Sequence, residues 1–317
     1  MKHFINLFLL FGSVVAMSAC SKDLAISSEP DNPNEFAPVQ LRLTGNIMYM
    51  TPDTRVDDEG FEDGDGIGIY ISTGALKNSG NKVDNVKYTY KAANSEIVAP
   101  KGGEIYWDND NTAYNIYAYY PYNSNEEVPT ARLFEVKDNQ SNSENYYNSD
   151  FLRAYAESIK KTSKPVELTF NHLMSKILLT ITPDDTFEED EFDNATKVVK
   201  IGNVPYTGII NLAEGTVAGN ATKKKTITAL AGENNTFSAI VFPQNATDVK
   251  FSIEIDGKSY SATLPSASFT SGKVYSYSLS VTKSSKGLRL KGSNISEWNP
   301  ASSVEGMEMT EDEDTSN

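Results

Sequence analysis

The chain has 317 residues, 43 of them acidic and 28 basic, for a formal net charge of −15. That balance argues against nucleic acid and anionic lipid surfaces as partners, since both repel a polyanion. With one cysteine and two histidines, the composition also excludes a disulfide framework.

The first segment, residues 1–19, reads as an export signal. Lys2 gives a basic start, Phe4 to Met17 form an apolar run too short to span a bilayer, and Met17-Ser18-Ala19 lead to Cys20. This arrangement resembles a bacterial lipoprotein signal, in which Cys20 becomes the acylated first residue of the mature chain. More than one acyl chain on that cysteine would anchor it stably. His3 lies in the same leader. The mature chain then has no free thiol and one imidazole, His172, which excludes Cys/His zinc sites and cysteine nucleophiles. Residues 20–38, rich in Pro, Asn and Ser, read as an extended tether.

From Val39 onwards the apolar residues mostly alternate. Strand-like runs are "VQLRLTGNIMYM" (39–50), "GIGIYIS" (66–72), "NVKYTY" (85–90) and "AYNIYAYYP" (113–121). They continue through "PVELTF" (165–170), "KILLTI" (176–181), "KVVKIGNV" (197–204) and "TFSAIVFP" (236–243) to "VKFSIEI" (249–255) and "KVYSYSLSV" (273–281). Asn, Gly, Asp and Ser clusters separate them, often at hairpin spacing. Only "NSDFLRAYAESIKK" (148–161) reads as a short helix. The pattern predicts an all-β fold of β-sandwiches. The Lys/Ser-rich link "IKKTSKP" (159–165) divides it into an N-terminal sandwich, 39–160, and a C-terminal one, 165–300. The acidic tail 301–317 lacks alternation and reads as disordered.

No chemical motif completes itself. "DGKS" (256–259) lacks the first glycine of a phosphate loop, because that position is Ser252. "DDEGFEDGDG" (57–66) and "DNDN" (108–111) miss the glycine of a calcium loop. There is no Gly-x-Ser-x-Gly elbow. Catalytic residues, metal ligands and cofactors are therefore expected to be absent. In "AYNIYAYYPY", Tyr117 and Tyr119 share one face, with Ile116, Ala118 and Tyr120 on the other. Cross-strand packing is the plainer reading, and a sugar-facing platform the alternative.

His172 sits in "LTFNHLMSKILLTITP" (168–183), where an imidazole serves as base, metal ligand or packing. It shares a strand face with Leu168 and Phe170, after which the apolar phase flips to Ile177, Leu179 and Ile181. A flip marks a bend or bulge, where backbone groups lose ladder partners that an imidazole can replace. A buried, hydrogen-bonded structural role follows.

Taken in order, "GDGIGIYI" (64–71), "IYWDNDNTAYNIYAYYPY" (105–122), "SDFLRAYA" (149–156), "LTFNHLMSKILLTI" (168–181), "AIVFPQ" (239–244), "DGKSYSATLP" (256–265), "FTSGKVYSYSLSV" (269–281) and "ISEW" (295–298) resemble the fimbrillin-like family of Bacteroidota. Its members are lipoproteins that build or decorate type V fimbriae. The resemblance implies two β-sandwich domains of transthyretin-like topology, no enzymatic activity, and location at the outer membrane and cell surface, in the fimbrium. The implied partners are other fimbrial subunits, the outer membrane through the lipid anchor during export, and a host protein or glycan ligand. It also implies assembly by strand exchange. A protease cuts after an Arg near the end of the first strand, here Arg55, and a neighbour's strand fills the groove that the released strand leaves. Val39, Leu41, Leu43, Ile47 and Tyr49 would be the core-facing residues of that first strand. The C-terminus offers no equivalent run. Leu288, Leu290 and the structural Trp298 share parity, but Gly292 and Asn294 interrupt them, and Ile295 falls out of phase. A tip or accessory subunit is therefore expected rather than a stalk subunit. The alternative is a surface glycan-binding lipoprotein of a nutrient-uptake system.

Overall fold

The computed structural model describes residues 38–47, 60–125, 128–188, 190–283 and 287–298. Cys20, Tyr49, Arg55, most of the tether and the acidic tail lie outside the described residues. Within them the chain is all-β, with only two single-turn helices.

The first group of strands is β1 (Leu43–Ile47), β2 (Gly66–Ser72), β3 (Val83–Lys91), β4 (Glu96–Val98) and β5 (Tyr114–Tyr120). Next come β6 (Arg132–Glu135), helix α1 (Ser143–Tyr147), β7 (Leu152–Ile159) and β8 (Val166–His172). Seven of these strands pair in the order β1-β4-β3-β2-β5-β7-β8, and β8 returns to β1, so that the sheet closes around one core. Every ladder in this sheet is antiparallel except the closing β1–β8 pair. Register shifts in the β2–β3 and β5–β7 ladders fall beside Asn85 and Ser158, both at positive φ. Such bulges bend strands and help a sheet curl.

Alternation explains which side chains line this core. Ile67, Ile69 and Ile71 of β2 point inward with Tyr114, Ile116 and Ala118 of β5, against Leu168 and Phe170 of β8. The opposite faces of β2 and β5 are buried too: Tyr70, Tyr117 and Tyr119 belong to a second core. Strands covered on both faces carry near-continuous apolar runs, as these two do. Gly68 is required by this packing, because a Cβ there would lie 2.0 Å from the Tyr119 ring.

The segment 148–161 is not a helix. α1 ends at Tyr147, capped at its start by the Asn142 side chain, and Leu152 to Ile159 form β7 between β5 and β8. Leu152 and Ala154 are buried while Arg153 and Tyr155 are more exposed, a period of two rather than 3.6.

The second group comprises β9 (Ser175–Pro183), α2 (Glu191–Asn194), β10 (Lys197–Pro205), β11 (Thr207–Asn211), β12 (Thr216–Gly219), β13 (Lys224–Thr228) and β14 (Leu230–Ala231). It ends with β15 (Thr236–Val241), β16 (Gln244–Ile255), β17 (Lys258–Phe269), β18 (Lys273–Thr282) and β19 (Gly287–Glu297). Nine strands form one sheet in the order β13-β10-β16-β17-β19-β18-β9-β15-β14, and β12-β11-β6 form a small third sheet. The second core includes Ile177, Leu179, Phe237, Phe251 and Leu279 from the large sheet. Arg153 of β7 ties on the third sheet by donating to the carbonyls of Leu212 and Ala213, at 2.6 and 2.9 Å.

The Lys/Ser-rich link 159–165 connects β7 to β8, which are neighbours in the closed sheet. The chain leaves that sheet at Leu173–Met174, both buried, and enters the large sheet as β9. The phase flip read from the sequence is this crossover between sheets.

Candidate functional site

The site begins with β1, the strand that closes the first sheet. From Val39 to Ile47, every second residue turns inward: Leu41 and Leu43 are 3% and 2% exposed, and Val39 and Ile47 pack partly buried against the same core. The intervening Gln40, Arg42 and Asn46 are exposed. Gly45, the remaining inward position, is closely packed: a Cβ there would lie 2.6 Å from Ile97 Cδ1 and 3.1 Å from Phe170 Cε2, so those side chains would have to shift. Each fully buried leucine contributes about 1.5–3 kcal/mol.

Backbone bonds hold the strand on both sides. The Leu41 and Gly45 N–H groups donate to Ile105 O (2.8 Å) and Ser95 O (2.9 Å), while Val166 N–H donates to Arg42 O at 2.8 Å. Side chains clasp the same edge: the Arg42 guanidinium donates to Ser163 O at 2.7 Å, and Asn46 Nδ2 to Glu167 Oε1 at 3.2 Å. β1 therefore lies in a slot between β4 and β8. Arg55 follows eight residues beyond its end, outside the described residues.

His172 ends β8 beside this slot. It is 3% exposed, and its Nδ1–H donates to Asp150 Oδ2 at 2.6 Å. The Trp298 indole stacks on its ring, with centroids 3.9 Å apart and planes 11° from parallel. The Trp298 backbone N–H donates to Gly272 O at 2.8 Å, and the Lys176 ammonium lies 5.6 Å from the indole centroid. The structure thus joins two residues singled out in the sequence, His172 and Trp298, through one stack. Asp150, the carboxylate partner, was missed because it sits in the segment read as helical. Gly45 was missed because a glycine in an alternating run carries no signal until its neighbours are known.

Tyr117 and Tyr119 of β5 present no platform. Tyr117 and Tyr119 are 4% and 0% exposed, and Tyr117 stacks on Tyr155 with centroids 4.6 Å apart. Burial, with the Tyr155 hydroxyl as a further cause, pushes the Tyr117 phenol up to about 12. Burial likewise pushes Tyr119 up to about 12, while its hydroxyl donates to Asn85 Oδ1 at 2.6 Å.

A family model described as fimbrillin-like matches residues 54–298. The chain belongs to the fimbrillin-like family. The match starts between β1 and β2 and ends on Trp298. Among its relatives, a protein of Bacteroides uniformis named as fimbrium subunit Fim1C is 27% identical over 303 residues, covering 91% of this chain and 93% of that protein. One of Bacteroides ovatus, named as fimbrium tip subunit Fim1C, is 26% identical over 191 residues, or 55% of this chain and 33% of that longer protein. A crystal structure of a B. uniformis protein described as a cell adhesion protein shares the fold, with TM-score 0.64 and 22% identity over 82% of this chain and 98% of that one. A second, from B. ovatus, has TM-score 0.65 and 20% identity, with coverages of 83% and 98%. The fimbrillin-like family is one of fimbrial structural subunits rather than enzymes.

Proposed function

We propose that this chain is a cell-surface fimbrial subunit, exported as a lipoprotein through Cys20, whose β1 is released by cleavage after Arg55 and replaced by a neighbour's strand. The observation that carries the reading is the slot of β1. One short strand closes a sheet, contributes alternate apolar side chains to its core, and is held on both edges by ladder bonds. Its removal leaves two open strand edges flanking an apolar groove, the arrangement that β-augmentation fills. An accepting role at a tip or accessory position fits the naming of the B. ovatus relative as a tip subunit. It also fits the ten-pair ladder that holds β19 on β18. The glycan-platform reading loses the support of Tyr117 and Tyr119, which are buried.

The test is Arg55→Ala in the native bacterium. The parent chain should appear in purified fimbriae with Val56 as its new N-terminus, and the variant should remain uncut and off filaments by immunogold microscopy. An Arg55→Ala protein that enters filaments as well as the parent would overturn the cleavage step.

A further inference from the structure

A cavity of about 360 Å³ opens at the end of β1, bounded also by Gly60 to Asp65, by α1 and by the ends of β5 and β8. That is within the size range of small-ligand sites. Its wall is chemically one-sided. Glu62, Asp65, Glu144 and Asp150 all line it, and no lysine or arginine appears among the described lining residues. Phe61, Tyr120 and Tyr147 supply aromatic surface between the carboxylates, with Phe61 edge-on to Tyr120 at 5.4 Å.

Two further facts point to a missing positive partner. Asp150 is 7% exposed; its Oδ2 accepts from His172, but its Oδ1 has no hydrogen-bond partner. A buried carboxylate oxygen without a donor is costly unless something fills that place. Asp65 is half-buried, and burial, with the nearby Glu62 charge as a lesser cause, raises its carboxyl above the ordinary value even though Glu62 N–H donates to it at 2.9 Å. Among the described residues no group of His, Cys, Asp or Glu is close enough to hold a metal ion. Carboxylates spread around an aromatic wall match a larger organic cation, attracted by charge and by the ring faces.

We propose that this cavity binds a guanidinium or ammonium group carried on an aliphatic stem, the chemistry of an arginine or lysine side chain of a protein ligand. The stem lies against Ile47, Phe61 and Leu152, and the charged head meets Asp150 and Asp65. The cavity belongs to the chain with β1 in place, since Ile47 forms part of its wall, and a titration of the uncleaved chain tests it without strand exchange.

The intact chain would be titrated with N-acetyl-arginine methylamide, N-acetyl-lysine methylamide, the neutral isostere N-acetyl-citrulline methylamide, and glucosamine. Amide shifts of Glu62, Asp65 and Asn148 would be followed by NMR. Saturable shifts with a cationic probe and at least about tenfold weaker binding of citrulline are expected. Asp65→Asn and, separately, Glu62→Gln should each weaken the cationic probe several-fold. These variants are informative even if Asp150→Asn fails to fold. Equal binding of citrulline, no saturable shift with either cation, or glucosamine binding more tightly than both would each overturn the assignment.

Discussion

His172 shows how a single residue can look catalytic and be held as a brick. An imidazole on a carboxylate makes up two of the three members of a catalytic triad, yet its ring face is covered by Trp298 and its exposure is 3%. We expect His172→Ala to lower stability by about 3 kcal/mol, since it leaves the Asp150 carboxylate buried without its donor and opens space under the indole. Urea unfolding would measure this, and an unchanged midpoint would refute the structural role. The sequence disclosed the bend at His172 through the phase flip but not Asp150, 22 residues earlier, because side-chain partners across a sheet leave no local pattern. Asp65 gives a second residue-scale expectation. A carboxyl with a raised folded pKa binds its proton more readily folded than unfolded, so its ionisation lowers stability as pH rises through that pKa. Asp65→Asn should therefore raise the melting temperature at neutral pH. The gain should disappear below the ordinary carboxylate value, where Asp65 is neutral in both states. A melting temperature that fails to rise at neutral pH would sink this.

At the scale of elements, β1 and β7 teach opposite lessons. Alternation in "VQLRLTGNI" disclosed the inward face of β1 because one face is core and the other solvent. In "NSDFLRAYAESIKK" the residues are good helix formers, so local propensity pointed one way. Pairing with β5 and β8 decided the other way, since only a strand completes both ladders. The Lys/Ser-rich link after β7 suggested a domain boundary because exposed polar loops and linkers share a composition. Gly45 is closely packed in β1, since a side chain there meets Ile97 and Phe170. Gly45→Val should cost about 1–3 kcal/mol by overpacking. It should also make the Leu43 and Gly45 amides exchange faster with solvent than those of the large sheet. Undiminished protection of those amides would mean that the slot adapts, and that glycine is not what selects the strand occupying it.

At the scale of the whole described body, the first and last strands are held differently, which bears on the direction of assembly proposed above. β1 closes its sheet through five parallel pairs with β8 and two with β4, and β4 itself has only three residues. β19 is registered against β18 over ten pairs and meets β17 through one, Ser261 with Gly287. The irregular phase around Gly292 is a register shift in that ladder: Ser278 pairs with Gly292, and Leu279 with Leu290, which leaves Lys291 as the extra residue. Leu288 and Leu290 pack on the second core, and Trp298 ends the strand on His172. Withdrawing β19 to serve a neighbour would strip ten pairs from β18 and uncover that stack, whereas releasing β1 breaks seven pairs, five with β8 and two with β4. The acidic residues beyond Trp298 would lose hydration in any apolar groove, a cost that Met307 and Met309 could not offset. Deleting residues 304–317 should accordingly leave Arg55 cleavage, melting temperature and incorporation into fimbriae unchanged. The comparison is made by immunogold labelling and N-terminal sequencing of fimbriae from parent and deletion strains. A deletion protein that is cut at Arg55 and folds normally, yet stays off the filament, would show that this subunit donates a strand through its tail, reversing the direction.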